Sequence, residues 1–274
     1  SKIKFLGNRY GNLANPAGIS QESIGCFAGA NEAQVGVAQY EYVLQPGEKV
    51  LIHTAVGPFE NEDEIGPLRD RNLTAGIFDN ALKAWKERNS CFGNVTVDLN
   101  DSYLNPLINE WTKHQLSMMM DWSRGWTMGF RDTMQDAQAF CCMDSTRART
   151  AIILACKHQF QEGMALRGYW PLDTNPYADG GVWLAFTVVE YIKETGDMSI
   201  LDESVDYYDE GNATVWEHVK NGLDWIYRNP GRHGLTRMQF GDWNDSLNID
   251  IDGEGESVWL SIAFILAARQ TAEL

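Results

Sequence analysis

The chain has 274 residues, 44% hydrophobic and 22% charged, the balance of a globular protein of one large domain or two smaller ones. A formal net charge of -16 and a pI near 4.6 exclude a basic reader of nucleic acid and argue against docking on anionic lipid, and they leave a neutral ligand open. No apolar run reaches the roughly eighteen residues a membrane span needs, and residues 1–5 lack the apolar core of a signal peptide, so a cytoplasmic protein is expected.

Residues 1 to 57 read as β structure. Residues 35–44 are rich in strand formers, Gln45-Pro46-Gly47-Glu48 reads as a turn, and residues 49–56 supply a second strand of an antiparallel hairpin. Residues 58–74, acidic and broken by Pro58 and Pro67, read as a connection with one helical turn. Apolar residues at 78, 81, 82 and 85 predict a helix over 78–88. A short strand is expected at 95–97. From Asp101 the chain turns helical, with Asp101 or Ser102 as the cap. Further helices are expected at 136–160 (one long or two short), at 181–195 closed by Gly196, at 213–227 stopped by Asn229-Pro230-Gly231, and from 257 to 274. Helices recurring roughly every 30–40 residues, with polar loops between them, suit an α/α toroid whose site lies at one end. The abrupt start and end predict a segment of a longer protein.

Four polar stretches carry candidate chemistry. Gly241-Asp242-Trp243-Asn244-Asp245 sets two carboxylates around an indole and a carboxamide. It reads either as a sugar site, with a flat face, hydrogen-bonding groups and a proton source, or as an Asx-rich turn with a buried Trp. In the stretch from Arg124 to Asp136, Arg131 offers a planar fork and Asp132, Gln135 and Asp136 offer partners for paired hydroxyls; an Arg131–Asp136 ion pair at a helix start is the competing reading. Asp179 leads into a helix and reads equally as a cap or a ligand contact. Asn248, Asp250, Asp252 and Gly253 resemble the start of an EF-hand loop, but position twelve is Trp259, so calcium is not expected.

Five cysteines, an odd number without zinc spacing, point to a reducing compartment, with Cys141 and Cys142 as buried thiols in a helix. The five histidines form no HExxH, and no phosphate loop or GxSxG elbow exists; His218 reads as structural. No metal and no cofactor is expected.

Taken together, Gly129-Phe-Arg-Asp-Thr-Met-Gln-Asp136, Gly180-Gly-Val-Trp-Leu184 with residues 191–197, Gly241-Asp-Trp-Asn-Asp245 and Gly255-Glu-Ser-Val-Trp259 resemble, in order and spacing, glycoside hydrolase family 94, the inverting phosphorylases of cellobiose, cellodextrin, chitobiose and 1,2-β-oligoglucan. The resemblance implies an α+β chain. Residues 1–75 would be the end of an N-terminal β-sandwich, 76–110 a helical linker and 111–274 part of an (α/α)6 barrel. It implies phosphorolysis of a β-linked gluco-disaccharide or oligosaccharide to an α-sugar 1-phosphate, with inorganic phosphate as co-substrate. It makes Asp245 the general acid with Asp242 the runner-up, and Arg131, Asp132, Gln135, Asp136, Asp179, Asp242, Trp243 and Asn244 substrate contacts. A homodimer is expected by analogy alone, and the phosphate grip is expected downstream of this segment. Ser246-Leu247 stand where cellobiose-type members show Gly-Met, which leaves sugar and linkage open. The rival is an inverting hydrolase using Asp179 or Glu256 as a base roughly 6.5–9.5 Å from Asp245, or else a non-catalytic sugar-binding segment.

Overall fold

The computed structural model describes residues 1–8, 10–11, 13–25, 33–122, 128–247, 250 and 253–274. Cys26, Arg124, Asn248 and Asp252 therefore lie outside the described residues. The chain divides into two compact units, Ser1–Phe78 and Asp79–Leu274.

In the first unit, α1 (Lys2–Leu6) precedes a 3-10 turn at Ala17–Ser20. The expected turn at 45–48 forms. The Glu48 N–H donates to the Gln45 carbonyl at 2.9 Å, and Gly47, at φ 84°, takes the left-handed position after Pro46. The expected strands beside it do not form: no ladder joins described residues of this unit, and Val43, Leu51 and Val56 are exposed. A pattern of strand formers needs a sheet that buries one face, and two lone strands cannot supply it. The subsequent connection is more helical than expected, since a 3-10 turn at Glu62–Glu64 runs into α2 (Ile65–Asn72). Pro67 sits in the first turn of α2, where its missing N–H costs no helical bond.

The second unit is helical. α3 (Ile77–Arg88) forms where apolar spacing predicts it. The strand expected at 95–97 is replaced by a different device. The Asn109 amide accepts the Val97 N–H at 2.9 Å and donates to the Val97 carbonyl at 2.7 Å; Asn105 does the same for Leu99, both at 2.7 Å. Two carboxamides imitate the rungs of a neighbouring strand. Asp101 caps the next helix, accepting the Tyr103 and Leu104 N–H groups at 2.8 and 2.9 Å. That helix runs as α4 (Leu104–Pro106), a π-helical stretch at Leu107–Thr112, and α5 (Lys113–Asp121).

Two helices, not one, occupy the next stretch. β1 (Met128–Gly129) leads into α6 (Phe130–Phe140), and α7 (Ser145–Cys156) starts on an Asp144 cap that accepts the Arg147 N–H at 3.2 Å. Cys141 and Cys142 lie in the turn between them. Cys141 is buried, and burial pushes its thiol up to about 12; Cys142 is exposed, which corrects the expectation that both are buried in a helix. Adjacent residues leaving a helix point in different directions, so both cannot face one core.

β2 (Gly168–Trp170) pairs antiparallel with β1 and with β3 (Leu172–Asp173). α8 (Gly180–Thr195) comes after and closes on Gly196 as expected. The hairpin of β4 (Ser204–Asp206) and β5 (Asn212–Thr214) precedes α9 (Val215–Arg228), whose Thr214 and Glu217 form a capping box. α10 (Val258–Ala272) ends the described chain.

α8 is the hub, packed against α6, α7, α9 and α10. It is apolar nearly all round, with Val182, Leu184, Val188 and Ile192 buried, as a helix covered on several sides must be. Each such side chain contributes about 1.5–3 kcal/mol by leaving water. α9 buries one stripe, Val215, Val219, Leu223 and Ile226. Where α8 and α9 cross, two glycines meet: a Cβ on Gly181 would stand 2.5 Å from the Gly222 carbonyl oxygen, and one on Gly222 would stand 3.0 Å from the Gly181 Cα. His218, as expected, is structural. It is fully buried between the Gln159 Oε1, 2.7 Å from Nδ1, and the Val205 carbonyl, 3.1 Å from Nε2, and desolvation pushes its pKa down.

Candidate active site

The N-terminal ends of α6, α8 and α10 meet, and a loop over 239–247 lies across them. Arg131, in the first turn of α6, joins these pieces. Its Nη1 donates to Asp179 Oδ2 at 3.1 Å and to the Asp242 carbonyl at 2.9 Å, and its Nη2 donates to Asp245 Oδ2 at 2.9 Å. One planar fork thus bridges two carboxylates and a backbone group, which a lysine could not do. The competing expectation paired Arg131 with Asp136; the fork is instead occupied by residues far away in the chain. Residues 131, 132, 135 and 136 stand at neighbouring positions along one side of α6, where spacings of three and four residues bring side chains together. Asp132 lies in the first turn, favoured there by the helix dipole, and its carboxylate sits so close over Gly129 that a Cβ at 129 would be 2.4 Å from Oδ2.

Asp179 takes the N-cap position of α8 without capping it. Its carboxylate instead accepts from Arg131 and, at 2.9 Å, from the Trp183 Nε1 one turn on. Only 2% of that side chain is exposed. Burial pushes its carboxyl upward, while the charge and hydrogen bonds of Arg131 and the bond from Trp183 pull it back.

The two acids of the Gly241–Asp245 stretch have different surroundings. Asp242 is buried: Oδ1 accepts the Asn244 N–H at 2.9 Å and Oδ2 accepts from the Ser257 hydroxyl. Asp245 leaves 49% of its side chain in solvent, with Arg131 as its hydrogen-bond donor among the described residues. The stretch is an Asx-rich turn, since the Asn244 Oδ1 also accepts the Ser246 N–H at 3.1 Å. Its Trp is not buried, however. Trp243 is 53% exposed and stands 6.1 Å from Trp259, which stands 6.3 Å from Trp183, so three indoles form a row leading from the acid loop. Gly241 is required by a close approach: a Cβ there would be 2.9 Å from the Tyr177 ring. Tyr177 in turn is covered by the Arg167 guanidinium, 4.7 Å from its centroid, and Arg167 is held by Asp173 at 2.9 Å.

The other polar loop is closed on itself. Asp250 accepts from Arg237 Nε at 2.7 Å and from the Gln239 and Gly255 N–H groups at 2.8 and 3.0 Å. Glu256 accepts from the His233 N–H at 2.7 Å and contacts the His233 Nδ1 at 2.8 Å. Among the described residues no group of three or more His, Cys, Asp or Glu is arranged to hold a metal ion, and no helix is long and apolar enough to cross a membrane.

Of the residues singled out in the sequence, the fold brings Arg131, Asp179, Asp242 and Asp245 together, with Trp243 in the same turn. Trp183, Trp259 and Ser257 were given no role in the site, although a Ser ahead of an apolar run is a helix-start signal, and an aromatic in the first turn of a helix that starts at a polar loop could have been read as facing it.

Residues 84–274 match the model of the glycosyl hydrolase 94 superfamily catalytic domain. The whole chain is 38% identical to a solabiose phosphorylase of Paenibacillus borealis, covering 36% of that protein. Over 98% of its length it is 28% identical to an N,N'-diacetylchitobiose phosphorylase of Vibrio furnissii, covering 38% of that protein. Over 92% it is 28% identical to a cellobionic acid phosphorylase of Neurospora crassa, covering 33%. The chain thus spans a little over a third of the length of the first two of these relatives. With a catalytic-domain match over most of its length, the chain belongs to the glycosyl hydrolase 94 superfamily.

Proposed function

We propose that the protein containing this chain is a glycoside phosphorylase that cleaves a β-linked gluco-disaccharide or oligosaccharide with inversion. A phosphate oxygen attacks the anomeric carbon, the bond from that carbon to the glycosidic oxygen breaks, and Asp245 gives its proton to the departing oxygen. The products are an α-sugar 1-phosphate and the shortened sugar. Phosphate is already an anion, so no carboxylate is needed to activate the nucleophile.

The observation that carries this reading is the contrast of burial within one turn. The Asp245 carboxylate is half exposed beside the exposed face of Trp243, whereas both Asp242 oxygens are held by protein donors. Asp242 is thereby a scaffold for the loop, and Asp245 is the proton donor. Arg131, Asp132, Gln135 and Asn244 take the hydroxyls of the donor sugar, with Asp179 setting the Arg131 fork; Asp136, expected beside them, is buried as deeply as Asp242. A hydrolytic base is disfavoured at both candidates, since Asp179 is buried in its ion pair and Glu256 is engaged by His233.

In this reading residues 76–110 are the helical linker and residues 111–274 part of an (α/α)6 barrel, a reading supported by the meeting of the α6, α8 and α10 N-termini at one end. Residues 1–75, which form no strand ladder among the described residues, are in this reading the C-terminal portion of a β-sandwich domain. The β-linked gluco-configured substrate is supported by the names of two further relatives, a cyclic beta-(1,2)-glucan synthase of Rhizobium meliloti and a 3-O-beta-D-glucopyranosyl-beta-D-glucuronide phosphorylase of Paenibacillus borealis.

The test is sugar 1-phosphate formation by the full-length protein from a panel of β-linked glucose and N-acetylglucosamine substrates, with and without phosphate. Phosphate-dependent α-sugar 1-phosphate that disappears in Asp245→Asn supports the reading. Free sugar without phosphate overturns it in favour of hydrolysis, and absence of turnover in the folded protein overturns it in favour of a binding segment.

A further inference from the structure

The hydroxyl of Ser257 faces two ways. It accepts the Leu260 N–H at 3.0 Å, which caps α10, and it donates its own hydrogen to Asp242 Oδ2. A serine can do both because its hydroxyl has one hydrogen and two lone pairs. From Asp242 the chain of contacts continues through Oδ1 to the Asn244 N–H at 2.9 Å, and the Asn244 side chain then takes the Ser246 N–H at 3.1 Å. Asp245 stands between those two fixed amides. Ser257 and Asp242 are buried, and the carboxylate lies at the start of a fifteen-residue helix, whose dipole favours a negative charge there.

The rest of the first turn of α10 is anchored separately. The Ser257 N–H donates to the Thr236 carbonyl at 2.9 Å, and the Ser257 carbonyl accepts from the Ser261 hydroxyl at 2.7 Å and the Thr236 hydroxyl at 3.1 Å. These bonds hold α10 whether or not the Ser257 side chain carries an oxygen. Among the described residues the hydroxyl thus supplies the hydrogen bond that ties the helix to the acid loop, beside the ring contact of Trp259 with Trp243.

We propose that Ser257 is a positioning residue for the general acid: through Asp242 it fixes the turn that presents Asp245, and its loss lowers turnover without weakening sugar binding. The proposal rests on Asp245 being the acid. A misplaced catalytic group costs up to about 100-fold when the shift is near 1 Å. A proton donor that contributes only in the transition state changes kcat and leaves KM in place.

The experiment compares Ser257→Ala, Ser257→Thr and Ser261→Ala in the full-length protein. Ser261→Ala removes an anchor of the same helix turn and leaves the Asp242 bond intact. Ser257→Ala is expected to lower kcat by about 10- to 100-fold at near-constant KM. Ser257→Thr, which keeps the hydroxyl, recovers most of that loss, and Ser261→Ala lowers the melting temperature with kcat retained. A double-mutant cycle with Asp242→Asn is expected to be non-additive. Hydrogen exchange of the Asn244 and Ser246 amides supplies a readout independent of turnover: Ser257→Ala accelerates both, and Ser261→Ala accelerates neither. If Ser257→Ala keeps wild-type kcat and wild-type exchange, the proposal falls while the phosphorylase reading stands. If the wild-type protein makes no sugar 1-phosphate, the phosphorylase reading falls, and the exchange data alone decide whether Ser257 holds the turn.

Discussion

Two acidic loops lie next to one another in the sequence and behave in opposite ways. Residues 241–247 carry two carboxylates and residues 250–256 carry four. In the second, Asp250 is saturated by Arg237 and two backbone N–H groups, and Glu256 by His233. In the first, Asp242 is saturated in the same way but Asp245 keeps half of its surface in water. Acid density therefore does not set Asp245 apart; what distinguishes it from Asp242, Asp250 and Glu256 is how few donors the protein commits to it, a property that Glu254 in the second loop shares without being held by the Arg131 fork.

The contrast can be broken most violently at Arg131, which belongs to the open loop. Arg131→Leu strands the buried Asp179 without its partner and is expected to cost about 3–5 kcal/mol in urea unfolding. It should also abolish turnover; a variant as stable as wild type would mean that the Asp179 pair is not buried in solution.

Asp245→Asn sharpens the contrast. The expected fall in kcat is about 10²- to 10⁴-fold, the usual contribution of a positioned proton donor. Because the side chain is half exposed, its melting temperature should hardly move, and a large thermal shift would argue for a structural role instead.

Asp250→Ala probes the closed loop. Removing three accepted hydrogen bonds should destabilise by about 1–3 kcal/mol, visible as a lower denaturation midpoint. A loss of turnover with unchanged stability would reverse the assignment of the two loops.

The smallest effect is expected far from both, at the start of α9. Backbone and hydroxyl hydrogen bonds from Thr214 hold the Glu217 carboxyl below its ordinary range. Because the folded value is depressed, Glu217 stabilises the fold above the normal glutamate range, and this contribution fades as the pH falls through the depressed value. The stability difference between wild type and Glu217→Gln should be present at pH 7 and vanish on acidification. A difference that persists in acid would rule out the charged cap.

The sequence made the helical part legible because its signals are local. Periodicity marked α3, and glycine and proline punctuation bounded α8 and α9 close to their observed ends. The acid loop was legible as a motif for the same reason. What stayed hidden was every feature that depends on distant partners. Arg131 meets Asp179 and Asp245 from 48 and 114 residues away, so its own neighbour Asp136 was an equally reasonable partner on sequence alone. Residues 95–97 look like a strand because Val-Thr-Val favours one, but Asn105 and Asn109 satisfy the backbone nearby instead. Residues 35–56 have strand composition without a sheet to join, and composition cannot report that lack.

The glycine contact between α8 and α9 carries a further consequence, at the start of α8. Gly181 lies two residues beyond Asp179, so the depth to which α8 settles on α9 also sets where the Asp179 carboxylate stands beneath Arg131. Position 222 touches no residue of the acid loop, yet a Cβ there would stand 2.9 Å from the Gln159 amide nitrogen and 3.0 Å from the Gly181 Cα, so even an alanine asks that side chain and α8 to give by a few tenths of an ångström. The crossing of α8 and α9 is thereby a gauge for the depth at which Asp179 stands beneath Arg131, set by the Gly181 backbone on one side and by Gly222 with the Gln159 side chain on the other.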